Sequence, residues 1–436
     1  MTLRKLTLGM AAAAMLAVPT AASAADLTIP SMVYRTGAYA PNGIPFANGY
    51  ADYFSLLNER DGGIEGSRLN LIECETAYNT KQGVECYENL KNEGTGALVF
   101  QPLSTGITYQ LIPKSEVDEI PIFSMGYGRT SAANGKIFPW VFNFPATYWS
   151  QATAFVQYIG EQEGGLDKLG GKKIALVYHN SAYGKEPIRT LEKAAEKFGF
   201  ELMLLPVDHP GQEQKATWLQ VRRERPDWVM MWGWGVMNQV AIKEAASVRY
   251  PMDHFIGVWW SGSENDVLPA GDGADGYLSG AFHAPGDNFA VHDEIKKYLY
   301  DADKGAGERD RIGEVLYNRG LVAAMWTTEA IRNAMKIHDT TALTGVMMRD
   351  GFESLKVDDA RLAELGLKDF TYGIEITCEN HEGPGKVALQ KWDAKAKKWS
   401  IVTDFYEPLT DITGPLIKED SEAYAKENNI TPKTCK

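Results

Sequence analysis

One pattern governs what this chain can fold into. Short, almost wholly apolar runs alternate with longer segments of helical period. Leu27 to about Tyr34, Leu69–Glu73, Ala97–Phe100 and Ile120–Ser124 read as strands, with a helix between each pair. The first helix is marked by Phe46, Tyr50, Tyr53, Phe54 and Leu57 on one face and is closed by Asn58 to Gly63. After Pro145 the pattern restarts: helix 148–161, strand 173–178, helix 184–199, strand 200–207, helix 214–224, strand 227–232, helix 236–248 and strand 254–259. Strands that are apolar on both faces need cover on both faces. The alternation therefore predicts an α/β protein of two blocks, each a parallel sheet with helices on both sides.

The N-terminus sets the expected compartment. Arg4 and Lys5 precede an apolar run from Leu6 to Val18, and Ala22-Ser23-Ala24 places small residues where a signal peptidase reads. Residues 1–24 are thus expected to be a cleaved signal peptide, since the run is too short to span a bilayer and ends at Pro19. The mature protein is expected in a bacterial periplasm, with no lipid anchor. Four cysteines in an oxidising space read as two disulfides. Cys74 and Cys86, 12 residues apart across a strand end and the following helix, form the shorter loop, which leaves Cys378 for Cys435; four cysteines allow three pairings. With 44 Lys+Arg against 57 Asp+Glu, a formal charge of -13 and no dense basic stretch, nucleic acid and anionic membranes are excluded as partners.

In open α/β sheets ligands bind beyond the carboxyl ends of the strands. Those ends here are Arg35-Thr36-Gly37, Gln101-Pro102-Leu103-Ser104-Thr105, Met125-Gly126-Tyr127-Gly128-Arg129, His179 to Gly184, Trp232-Gly233-Trp234-Gly235 and Trp259-Trp260-Ser261-Gly262. Tyr39 and Asn42 stand on the first of these loops and read equally well as lining the mouth of a site or as part of a Pro41-Asn42-Gly43 turn.

These loops and their order resemble the periplasmic solute-binding proteins of branched-chain amino acid type ABC importers, the leucine-isoleucine-valine binding protein family. The pieces that carry the resemblance are the opening strand with Thr36-Gly37, the helix ending Leu57-Asn58-Glu59-Arg60-Asp61-Gly62-Gly63-Ile64-Glu65-Gly66, the helix start Thr80-Lys81-Gln82-Gly83-Val84, and Tyr183-Gly184 after the first strand of the second block. The resemblance implies a two-lobed type I periplasmic binding protein clamshell that the chain crosses three times. Lobe one would take 25–144 and 284–373, and lobe two 145–283 and 374–436 with a C-terminal extension. A solute would lie between the lobes and the closed form would dock on a membrane permease.

Site residues carried over by the resemblance are Ser104, whose loop would hold a ligand carboxylate at a helix N-terminus, Tyr127 and Gly128 in the next carboxylate loop, and Tyr183 and Trp234 from the second lobe. Tyr127-Gly128 departs from the small residue and threonine usual there. A larger departure falls at Trp259 and Trp260, where amino-acid binders of the family present an acid to the ammonium group. A buried ammonium without a carboxylate is costly, although Glu264 and Asp266 lie a few residues on. Aromatic density at Tyr127, Trp232, Trp234, Trp259 and Trp260 suits a flat solute, and Arg129 is a candidate ion-pair partner for its carboxylate. Trp232 reads as the most structural of these rings.

Other chemistries find no support. The seven histidines show no i, i+4 pairing with a glutamate, so no metal site is expected, and no cofactor. Ser261-Gly262-Ser263 does not complete a nucleophile elbow. Gly233-Trp234-Gly235 has Asn238 where a dinucleotide loop needs glycine, and Gly171-Lys172 has Leu166 where a P-loop needs one. The expected function is thus that of a non-enzymatic, monomeric solute-binding component of an ABC importer. An aromatic or bulky carboxylate ranks first as solute, a branched-chain or aromatic amino acid second, and an amide or a cation held by aromatic faces third. A periplasmic sensor serving a membrane kinase, and a secreted α/β hydrolase, are the alternative classes. Val387–Trp392 and Trp399–Phe405 read as a hairpin around Asp393–Lys398 near the C-terminus.

Overall fold

The computed structural model describes residues 26–435; the expected signal peptide lies outside them. The chain opens with β1 (Leu27–Val33), α1 (Ala40–Asp61), β2 (Leu69–Glu75), α2 (Thr80–Leu90), α3 (Thr105–Asp118), β3 (Ile122–Phe123) and β4 (Val141–Phe142). β1 and β2 pair in parallel with Leu27 opposite Leu69. Parallel bridges from Thr28 to Ala97, Ser31 to Gln101 and Phe100 to Ile122 carry the sheet on to β3, which pairs with β4. The result is the first lobe's parallel layer. β1 is buried along its whole length, as a strand covered on both faces must be.

The part of the chain that builds the second sheet opens with α4 (Tyr148–Gln162) and β5 (Lys173–His179), followed by α5 (Ala182–Lys185), α6 (Ile188–Phe198), β6 (Glu201–Val207), α7 (Lys215–Glu224), β7 (Trp228–Trp232), α8 (Val236–Ser247), β8 (Phe255–Gly257), α9 (Glu264–Val267) and β9 (Leu278–Ala281). The chain continues through α10 (Ala290–Tyr298), α11 (Val315–His338), α12 (Gly345–Glu353), β10 (Lys356–Val357), α13 (Asp359–Glu364) and β11 (Ile374–Glu375), with α10 and α11 packed on α1. It closes with β12 (Ala388–Asp393), β13 (Lys398–Ile401) and α14 (Thr410–Asn428). The second sheet has seven strands in the order β13-β12-β9-β8-β7-β5-β6, parallel from β9 to β6. The expected hairpin at the C-terminus is β12 and β13, laid antiparallel on β9 with Ala388 opposite Ala281. β6, half exposed and carrying Pro206, is an edge, where a missing amide is tolerated.

Two local expectations need correction. The helix read over 184–199 is broken into α5 and α6 around Glu186 and Pro187, because proline lacks the amide that an unbroken helix would use. Pro41-Asn42-Gly43 is not a turn but the first turn of α1; proline is welcome there, where amides have no helical partner.

Both expected disulfides are formed, Cys74–Cys86 and Cys378–Cys435. The second pins a C-terminal strap that touches both lobes. In α14, Tyr424 stacks on Phe138 of the first lobe at 4.7 Å, and Asp420 pairs with Arg129 at 2.6 Å. Glu419 pairs with Arg189 of α6 at 3.1 Å. Beyond α14, Lys433 meets Glu353 of α12 at 2.6 Å. No described helix is long and apolar enough to cross a membrane.

Candidate binding site between the lobes

Where the strand ends of the two lobes face each other, ten residues line a small, partly open cavity. From the first lobe come Tyr34, Tyr78, Leu103, Ser104, Thr105 and Tyr127; from the second, Tyr148, Tyr183, Trp234 and Trp260. All seven rings are neutral: burial raises every one of the five tyrosine pKa values. Among the described residues no carboxylate, ammonium or guanidinium lines the space.

The polar end of the cavity is built by α3. Ser104 is its N-cap, and the Ser104 hydroxyl accepts the Ile107 amide at 3.3 Å. That leaves the Thr105 and Gly106 amides as donors the helix itself does not use, at the positive end of a helix of 14 residues. Leu103 precedes them with φ at 47°, and Tyr78 opposite has φ at 60°. Both are bulky residues in the left-handed region, a costly backbone conformation for such side chains. At Leu103 the twist lets the amide donate to Tyr127 Oη at 2.7 Å while the carbonyl accepts from Tyr34 Oη at 3.2 Å.

The aromatic end is held from behind. Tyr183 Oη donates to the Gly233 carbonyl at 2.8 Å, and Trp234 and Trp260 meet edge to face at 5.5 Å. The indoles of Trp259 and Trp260 both donate to the Gly126 carbonyl of the first lobe. Beneath Trp260 lies the guanidinium of Arg319 from α11, 5.1 Å from the ring, fully buried, its pKa lowered to about 9 by desolvation. It donates to the Trp259 carbonyl and to His283.

Of the residues expected at the site, Ser104, Tyr127, Tyr183, Trp234 and Trp260 line the cavity. Trp259, fully buried, stacks on Tyr148 behind the wall. Arg129 turns away: its guanidinium is held by Asp420 and lies 4.6 Å over the Tyr424 ring. The Gly128 amide donates to Thr105 Oγ1 at 3.2 Å beside the cavity rather than in its lining. Glu264 and Asp266 do not swing in; Glu264 accepts the Val315 amide at 3.0 Å, and Asp266 is held by Asn42, Asn238 and Ser263. Trp232, read as structural, is fully buried in β7 and outside the lining.

The periplasmic binding protein sequence profile matches residues 26–398. A solved structure from the Pseudomonas fluorescens group, described as an ABC transporter permease, is 41% identical over 94% of this chain and 99% of its own, with a TM-score of 0.87. The chain belongs to the periplasmic binding protein family. More distant members share the fold of this binding protein. A branched-chain amino acid ABC transporter structure from Thermus thermophilus with bound valine is 20% identical, covering 91% of this chain and 98% of its own, with a TM-score of 0.72. A Rhodopseudomonas palustris ABC transporter solute-binding protein in complex with benzoate is 16% identical over 88% of this chain and 97% of its own, with a TM-score of 0.68. No curated protein matches the sequence.

Sequence reasoning missed Tyr34, Tyr78, Leu103, Thr105 and Tyr148 as lining of this binding protein. Tyr34 sits one residue before the strand-end loop that opens at Arg35, and Thr105 closes the loop that begins at Gln101. Leu103 lies inside the latter loop, and only its backbone conformation sets it apart. Tyr78 and Tyr148 gave no signal, because Tyr78 follows a strand end and Tyr148 opens a helix read for its period alone.

Proposed function

We propose that this binding protein captures a small aromatic carboxylate in the periplasm and delivers it to an ABC permease, acting as a carrier and not as an enzyme. The observation that carries the reading is a neutral, seven-ringed cavity with free helix amides at one end and no acid to receive an ammonium group. Stacking on the rings suits a planar solute, and the α3 amides suit its carboxylate. Ser104, Tyr127, Tyr183, Trp234 and Trp260 are the ligand residues in this reading, with Tyr34, Tyr78, Leu103, Thr105 and Tyr148 added. The lobes would divide near residues 144, 284 and 374, so that one rigid-body closure buries the solute. Residues 1–24 would direct export and be removed.

The test is a thermal melt of the mature protein, unfolded and refolded to strip bound solute, against benzoate, benzamide, phenylalanine, leucine and choline. A solute at about 100 times its dissociation constant adds roughly 2.7 kcal/mol, a clear rise in Tm. Benzoate is expected to raise it and leucine is not. A rise with leucine or phenylalanine and none with benzoate would overturn the reading, because the ammonium would then have found a partner the cavity does not show.

A further inference from the structure

One side chain beside the cavity is buried in an unusual way. Glu186 follows α5 in the second lobe, yet its carboxylate is received wholly by the first. Thr130 Oγ1 donates to it at 2.8 Å, the Thr130 amide at 3.4 Å, and Tyr109 Oη of α3 donates to its other oxygen. The side that presents it is fixed too, since Trp149 Nε1 of α4 holds the Glu186 carbonyl at 2.8 Å. The residue is 8% exposed although it stands at the rim, beside a crevice that also contains Lys185, Arg189 and the Arg129–Asp420 pair. Such burial of a carboxylate is tolerated only while its hydrogen bonds are made.

Gly128 makes room for it. A Cβ on Gly128 would stand 2.8 Å from Glu186 Oε1 and 2.4 Å from Thr105 Cγ2. Tyr183, which reaches the cavity, and Glu186, which reaches the rim, sit at either end of α5, so seating one seats the other.

We propose that Glu186 is the positioning residue that latches the closed lobes, with Thr130 and Tyr109 as its catch and Gly128 as the gap it passes through. The inference rests on the solute-carrier reading for its purpose but not for its geometry. In an open form the three donors and the carboxylate return to water, so the latch contributes only to closure. It sets how tightly any solute is held without deciding which solute fits.

The test reads closure directly. The four native cysteines are all paired, so nitroxide labels attach only at introduced ones, Val117→Cys on α3 and Leu219→Cys on α7, at positions 82% and 51% exposed. Electron-spin distance distributions are recorded with and without saturating benzoate in the parent, Glu186→Gln, Thr130→Val, their double variant and Gly128→Ala. The closed-to-open ratio is expected to fall about tenfold in each single variant, the size of a lost charge-assisted hydrogen bond. The double variant should fall no further than Glu186→Gln alone. An unchanged ratio in the single variants, or a parent with no closed population under either condition, overturns the latch. If benzoate moves none of the proteins while the latch variants still open the free form, the latch stands and the choice of solute fails. Thr130→Val removes a hydroxyl without changing shape, so its result holds even if Gly128→Ala folds poorly.

Discussion

The cavity wall and the seam around it are made of different chemistry. The wall is neutral rings and helix amides, with no ionised side chain. The seam is where the titratable groups cross from lobe to lobe. Glu186 meets Thr130 and Tyr109, and burial raises its pKa. Tyr39 meets both His179 and His209. Arg319 of α11 reaches the Trp259 carbonyl. In the wall a charge would be a recognition element and would narrow the solutes accepted; in the seam it acts on closure, because it is desolvated only when the lobes meet. The difference separates what is bound from how tightly the lobes shut.

The largest expected effect tests whether two adjacent tryptophans fall on opposite sides of that division. Trp260 lines the cavity, whereas Trp259 is fully buried behind it against Tyr148 and Phe282. Trp259→Ala should cost about 3–5 kcal/mol of stability, the usual toll of emptying a buried indole site, and weaken solute affinity far less than Trp260→Ala, through loss of its indole bond to the Gly126 carbonyl alone. Trp260→Ala should weaken binding by about a hundredfold or more, since it removes a stacking face. Urea unfolding gives the first quantity and titration calorimetry with the solute selected by the melt panel gives the second. Equal losses in both assays for both variants would erase the distinction.

How far the sequence could show this division depends on what each part is made of. The strands and helices of the second lobe fall within a few residues of expectation, because period and apolar runs report burial directly; β5 and β7 are buried almost throughout. The return through 284–373 was barely legible. α11 is buried on nearly every face, so it carries no amphipathic stripe to read. The wall was half legible, since strand-end loops are recognisable by position, while Tyr78 and Leu103 enter it through left-handed backbone that no side-chain pattern announces. The seam was not legible at all. Arg129 looked like a ligand residue because the partner that occupies it, Asp420, lies 291 residues away.

Acid provides the next contrast. Burial lowers the pKa of His179, in the seam, to about 4, and that of His292, in the first lobe, also to about 4. A histidine depressed on folding contributes stability that is fully present above its unfolded value, near 6.5, and lost as pH falls toward 4. Each should account for roughly 2–3 kcal/mol of loss over that window. Urea midpoints at pH 7 and pH 4.5 check the sum, and His179→Gln and His292→Gln should each flatten the profile by one share. Only the His179 substitution should also flatten the pH dependence of solute affinity, since it alone bridges the lobes through Tyr39. Identical affinity profiles for the two variants would place His179 with the scaffold and remove it from the seam.

The smallest effect sharpens the wall itself. Ser104 caps α3 through a single 3.3 Å bond to the Ile107 amide, and loss of such a cap costs about 1 kcal/mol. If the hydroxyl served only the helix, Ser104→Ala would lower stability by that amount and treat all solutes alike. In the wall it has a second task, since it stands with the Thr105 and Gly106 amides where the carboxylate would sit. Ser104→Ala should therefore weaken benzoate by about tenfold, as for one hydrogen bond to a charged group, and benzamide by much less. The ratio of the two affinities is the informative number, because loss of folded protein scales both equally and cancels. A ratio unchanged from the parent would assign Ser104 to the helix alone and remove its hydroxyl from the carboxylate's donors.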